Sequence, residues 1–245
     1  FFVLIKYFCW QFAFILPGII SLIIGVILLF FIFNSLISFE NLKAKDLEEK
    51  NSSNDLVIIA CIMLFSMFAL GLTFQISQTS IPKVFDIRIE NISTFAIGSI
   101  IGIIYGIAGL MTFVGGLMAD KFSLKKIYVI GIAAQAPCFF FIAYFSGIPL
   151  IFVFLIAAMF NSSILPTENI LLAKFTPEKH HGLIYGIKFI VAFGSAPIAV
   201  FLISKIYEKT QEFTNLFYIC SILMLLVTLA VLFLPIKNQK IYFSN

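Results

Sequence analysis

Phe95-Ala-Ile-Gly-Ser-Ile-Ile-Gly-Ile-Ile-Tyr-Gly-Ile-Ala-Gly-Leu-Met-Thr-Phe-Val-Gly-Gly-Leu-Met118 runs for 24 residues without a charge. Ala119-Asp120-Lys121-Phe122-Ser123-Leu124-Lys125-Lys126 follows, with one acid and three lysines in eight positions. About 20 apolar residues in a helix cross the hydrocarbon of a bilayer, where backbone groups find no water and must bond one another. The first stretch therefore reads as a membrane-spanning helix, and the second as a turn held at the water. The same alternation recurs along the chain. Spans are expected at Gln11–Phe33, Leu56–Gln78, Phe95–Met118, Ile127–Ser146, Leu150–Ala173, Leu183–Ser204 and Phe213–Leu234.

Composition agrees. Of the 245 residues, 61% are hydrophobic and 11% charged, against roughly 45–50% and about 25% in soluble domains. Too few polar side chains are present to cover a soluble fold of this size. This excludes a soluble enzyme, a nucleic-acid binder and a disordered chain. The ten-residue alternating segments of a membrane barrel are absent from the sequence. The fold class is all-α, a polytopic transmembrane helical bundle. Of the 16 basic and 12 acidic residues, only Glu168 and Lys188 fall inside the seven spans.

Lysines in the connecting segments orient the bundle. Residues 34–55, 119–126, 174–182 and 235–245 together carry ten of them. The other side carries five basic residues, Lys6, Lys83, Arg88, Lys205 and Lys209. The ten-lysine side and the C-terminus are expected in the cytoplasm, in a multi-pass protein of the plasma or inner membrane. The net charge of +4 reflects this bias and implies no nucleic-acid partner. Phe1–Phe8 is apolar but too short to span, and it lacks the features of a signal peptide. It reads as the tail of an earlier helix, so the chain is expected to be part of a longer protein. Segment 34–55 is polar and of mixed charge, as a solvated linker would be. Cys9, Cys61, Cys138 and Cys220 lack metal or redox spacing and read as small apolar packing residues. No metal site or cofactor is expected.

The order Gly116-x-x-x-Asp120-Lys121-x-x-x-Lys125-Lys126 adds more than loop charge. Its glycine is expected to let two helices approach, and its acid and lysines to pair in a tight turn. Here the chain resembles the major facilitator superfamily of secondary transporters. That family's signature is Gly-x-x-x-Asp-Arg/Lys-x-Gly-x-Arg/Lys-Arg/Lys between helices 2 and 3, and it recurs in weaker form between helices 8 and 9. Ser123 stands where the family has a second Gly, so the turn should be less sharp. Cys9-Trp10-Gln11-Phe12-Ala13-Phe14 looks like the Gly-Trp-Arg-x-x-Phe that opens helix 6. Pro166-Thr-Glu168-Asn169 and Thr176-Pro-Glu-Lys-His-His181-Gly182 look like the end of helix 10 and the 10–11 loop, with His181 in place of an Arg. Leu234-Pro235 resembles the end of helix 12. The resemblance implies that residues 1–33 are the end of an N-terminal half (helix 5 tail and helix 6). Residues 34–55 would be the cytoplasmic linker, and residues 56–245 a C-terminal six-helix half. The six-helix N-terminal half would be a missing partner.

Candidate functional residues follow from cost. An ionisable group within a span faces a partner or a cavity, because insertion costs about 2.5–3.5 kcal/mol. Glu168 lies six residues before Lys174, and Lys188 six after Gly182. Both sit about 9 Å inside the same end, so they can pair or take part in coupling. The alternatives are snorkelling to the cytoplasmic interface, easiest for Lys188, or a purely structural pair. Asn161, Ser162, Glu168 and Asn169 form one polar stripe, and Tyr185, Lys188 and Ser195 another. Gln75 and Gln78 share a face near Pro82, where the helix is expected to end; they read as solute contacts or as interhelical glue. Gly98, Gly102 and Gly106 recur every fourth residue and predict a smooth helix-packing face. Gly194-Ser195-Ala196-Pro197 predicts a kink.

A retinal pump would need a lysine in the last span, which has none. An intramembrane enzyme would need paired acids, a Ser/His couple or a metal cluster at depth. His180 and His181 are adjacent and read as solvated loop residues. The resemblance implies a secondary active transporter, not an enzyme, moving a small solute by alternating access with a gradient of protons or of solute as driving force. Membrane lipid is its surroundings. Glu168 and Lys188 would interact as charges; Gln75, Gln78, Tyr105 and Asn169 would contact solute; Gly116, Asp120, Lys121, Lys125 and Lys126 would stabilise one conformational state. The alternative is a transport-inactive sensor or scaffold on the same fold.

Overall fold

The computed structural model describes residues 11–33, 53–176 and 180–235. The opening Cys9-Trp10, the linker through residue 52, Pro177–Lys179 and the tail lysines lie outside them. Two units are present, residues 1–51 and 52–245. The first contains helix α1 (Phe12–Phe33), a single apolar helix long enough to span.

The second unit is a bundle of α2 (Ser53–Arg88), α3 (Thr94–Lys121), α4 (Leu124–Tyr144), α5 (Ile148–Lys174), α6 (His181–Gly194), α7 (Ala196–Thr210) and α8 (Thr214–Leu232). The two short helices α6 and α7 make one span, so the described residues hold seven helices or helix pairs able to cross a membrane. Ser93 starts α3 by accepting a hydrogen bond from the Ala96 amide at 3.2 Å. The predicted kink in the sixth span is an interruption at Ser195. Pro197 cannot donate to the Phe193 carbonyl there.

Helix α3 lies along α5, α4 along α8 and α5, and α2 against α6, α7 and α8. Three glycines set the closest approaches. A Cβ on Gly115 would land on the Ser163 carbonyl, and one on Gly131 on the Ile164 side chain. One on Gly71 would lie 2.6 Å from the Ala192 carbonyl oxygen. Outward-facing side chains such as Leu110, Phe113 and Ile190 are apolar and exposed, as suits a surface bathed in hydrocarbon.

Several expectations need correction. Helix α2 does not stop at Pro82 but continues to Arg88, making it about 54 Å long. Val84 and Phe85 beyond the proline are fully buried, and Phe85 meets Phe154 edge-on at 5.9 Å; that packing carries the helix past the missing hydrogen bond. The eight-residue turn 119–126 shrinks to Phe122 and Ser123, because Asp120 and Lys121 belong to α3 and Lys125 and Lys126 to α4. Gly102, Gly106 and Gly116 do not form a packing face among the described residues. A Cβ on any of them would meet nothing within 4 Å, and the close approach belongs to Gly115 instead. Cys138 and Cys220 pack inside, but Cys61 is exposed.

Two polar clasps tie the ends of the bundle. At one end Arg88 donates to the carbonyls of Ile142 at 2.8 Å and Ala143 at 3.2 Å, and to the Thr214 hydroxyl at 2.8 Å. It joins the end of α2 to the end of α4 and the start of α8. At the other end Lys125 donates to the Leu234 carbonyl at 2.7 Å, joining the start of α4 to the end of α8.

Candidate functional site

Glu168 and Lys188 meet. They project from the facing helices α5 and α6, and Nζ lies 2.5 Å from Oε1. Their side chains are 3% and 9% exposed, so the pair is shielded from solvent and neither group snorkels. Lys188 also donates to Asn169 Oδ1 at 2.6 Å, and Tyr185 donates to the Asn169 carbonyl at 3.0 Å. The two polar stripes on these helices therefore interlock.

Two further residues complete the cluster, and neither was singled out from the sequence. The Tyr128 hydroxyl on α4 is fully buried and interacts with the Glu168 carboxylate. It also lies 2.8 Å from Ser66 Oγ on α2, which is 2.9 Å from the Met63 carbonyl. One tyrosine proton can go to the carboxylate or to the serine, not to both. If it goes to Glu168, Ser66 must act as donor to Tyr128. The signal available in the sequence was a tyrosine two residues after Lys126, near the same end of the bundle as Glu168.

A second polar centre lies further along α5. Asn161 donates to Gln135 Oε1 at 3.3 Å, and Gln135 donates to the Gly131 carbonyl at 3.3 Å. A cavity of about 20 Å³ adjoins them, with Tyr105, Ser77 and Ser162 also in its wall. Tyr105 is thus brought to the polar interior. Gln75 is half-buried, Gln78 is exposed, and neither lines this cavity. A larger cavity of about 360 Å³ opens between α2, α5 and α6, next to the ion pair; Met67, Leu171 and Ile187 contribute to its apolar wall.

The turn motif behaves differently from expectation. Asp120, Lys121 and Lys126 are exposed, and the anticipated pairing of the acid with its lysines is not found among the described residues. Helix ends separate them, with Asp120 in the last turn of α3 and Lys125 turned to the Leu234 carbonyl. His181 is not a solvated loop residue either. Its Nε2 lies 2.8 Å from the Thr176 carbonyl and 3.2 Å from that of Ala173, so it caps the end of α5 as a donor. No group of three or more metal-ligating side chains occurs among the described residues.

Among the described residues the apolar bundle buries one ion pair, between α5 and α6. The family model described as Major Facilitator Superfamily matches residues 56–244. The chain belongs to the major facilitator superfamily. Members of this superfamily carry small solutes across membranes and are transporters, not enzymes, so this is an integral, multi-pass membrane transporter in the general sense. Among curated proteins none matches the chain.

Proposed function

We propose that this superfamily member is a secondary active transporter that moves a small solute by alternating access and couples that movement to a gradient through Glu168 and Lys188. The observation that carries the reading is the buried ion pair between α5 and α6. Buried charges are retained at a cost, and an apolar pair of similar volume would be as stable or more so. A bistable charge contact of this kind is a means of linking protonation or solute binding to helix position. Residues 56–245 act as one six-helix bundle that rocks against a second bundle around a site near the midplane. Protons are the proposed coupling ion. Tyr105 contacts solute from the small cavity and Asn169 does so beside Lys188, with Gln75 and Gln78 nearer the end of α2. Asp120 and the lysines 121, 125 and 126 hold one of the two states from the cytoplasmic face, where the C-terminus also lies.

The test is flux. In proteoliposomes with the full-length protein, Glu168→Gln should abolish accumulation driven by a pH gradient while leaving solute exchange in place. Unchanged uptake with unchanged pH dependence would sink the coupling role. Solute binding without any flux in the wild type would identify a sensor instead. Thiol labelling of Glu90→Cys and Lys126→Cys from each side of the membrane tests the orientation; labelling of Lys126→Cys from outside would reverse it.

A further inference from the structure

We propose that the small cavity between α2, α3, α4 and α5 is a subsite for one neutral hydroxyl of the solute, and that Gln135 and Asn161 read it. The proposal rests on the transporter reading and names the class of solute that reading leaves open.

The two amides keep spare hydrogen-bonding capacity. A glutamine amide has two N–H donors and an oxygen with two lone pairs. Gln135 is fully buried, donates one N–H to Gly131 and accepts one bond from Asn161. One donor and one lone pair remain, and so do the Asn161 carbonyl oxygen and its second N–H. A third source of capacity is the backbone. Pro166 has no N–H, so the Ser162 carbonyl four residues earlier has lost its helical donor. Ser162, Gln135 and Asn161 all line the same cavity, beside Ser77 and Tyr105. Among the described residues neither amide has a buried atom without a partner, but the spare donors and lone pairs of both belong to residues lining one cavity, where a further hydrogen-bonding group can be received.

The walls define what that partner is. Phe74, Tyr105, Phe139 and Phe154 surround the amides, with Tyr105 set edge-on to Phe74 at 6.5 Å and to Phe154 at 6.1 Å. No charged residue lines the cavity. Glu168 lies seven residues further along α5, about 10 Å away, and is engaged by Lys188. The group received is therefore neutral. A volume of about 20 Å³ matches one water or one hydroxyl, not a whole solute. Tyr105, Asn161 and Ser162 are half-exposed, so the space is open on one side and a group on a larger molecule can reach in.

The experiment uses the full-length protein purified in detergent and titrated with hexoses and hexitols, and with carboxylates and amines of matched size. The midpoint of thermal unfolding gives apparent affinity, since a ligand of the native state raises it. At least one neutral probe should bind saturably, and Gln135→Leu and Asn161→Ala should each weaken it by about ten- to a hundredfold, the loss expected when buried hydrogen bonds go unmade. Asn161 is half-exposed, so its variant serves if Gln135→Leu fails to fold. Binding confined to charged probes, no binding by any neutral probe, or wild-type affinity in both variants would overturn the proposal. Flux assays separate the two readings. Neutral-probe binding without flux overturns transport and leaves the subsite; flux with unaltered affinity in both variants does the reverse.

Discussion

Replacing Lys188 by methionine keeps much of the side-chain volume and removes the charge that faces Glu168. The carboxylate is 3% exposed and the lysine 9%, so water does not screen the loss. The small values typical of surface pairs therefore do not apply. Stranding one member of a buried pair costs about 3–5 kcal/mol. For a bundle of this length each kcal/mol lowers the unfolding midpoint by about 2–4 °C, so Lys188→Met should melt about 6–20 °C below wild type. Glu168→Gln strands Lys188 instead, but Asn169 Oδ1 still accepts from it at 2.6 Å; this variant should lose less. The double variant carries no buried charge and should recover most of the stability, giving a coupling of at least about 2 kcal/mol in the cycle. The assay is thermal unfolding of the purified full-length protein at neutral pH, read by tryptophan fluorescence and by thiol exposure. A Lys188→Met midpoint within about 2 °C of wild type would refute the reasoning, as would a double variant whose loss equals the sum of the singles.

Three further outcomes follow from the packing. Gly115→Ala drives a methyl onto the Ser163 carbonyl and should cost about 1–3 kcal/mol or prevent folding, whereas Gly102→Ala and Gly106→Ala meet nothing and should be neutral or slightly stabilising; expression level and unfolding midpoint separate them. Arg88→Met removes the bonds to Ile142, Ala143 and Thr214 and should cost about 2–3 kcal/mol. Hydrogen exchange should then quicken at the end of α4 before it does elsewhere. Tyr128→Phe removes the hydroxyl shared by Ser66 and Glu168 and should cost about 1–2 kcal/mol; the pH profile of transport should move with it, a change that lost packing alone would not produce.

How far the sequence could be read depends on which physical demand set each feature. The bilayer demands long apolar helices, so the spans were legible to within a few residues at most ends. It also penalises lone charges at depth, and this made Glu168 and Lys188 readable as partners before their helices were seen together. Pro82 was misread because the cost of a missing hydrogen bond is local, while the burial of Phe85 against Phe154 that offsets it depends on another helix. The glycines show the same limit. Period four marks a smooth face, but only the neighbour decides whether that face is used, and α5 lies against Gly115. Tyr128, Ser66 and Gln135 gave little signal because a hydroxyl or amide in a span serves as well for ordinary helix contacts. Their importance comes from convergence of α2, α4 and α5, which no spacing along one helix encodes.

The interruption at Ser195 has a mechanical consequence. Lys188 is fastened to α5, yet it rides on a rod of only 14 residues, because α6 ends at Gly194 and α7 begins at Ala196. The joint lies seven residues beyond the lysine, about 10 Å along the helix. Release of the charge contact thus frees a short lever with a built-in pivot. The far arm, α7, need not swing with it. An electrostatic event near one face of the membrane can then be spent on tilting half a helix, with the opposite end of the bundle still clasped by Arg88.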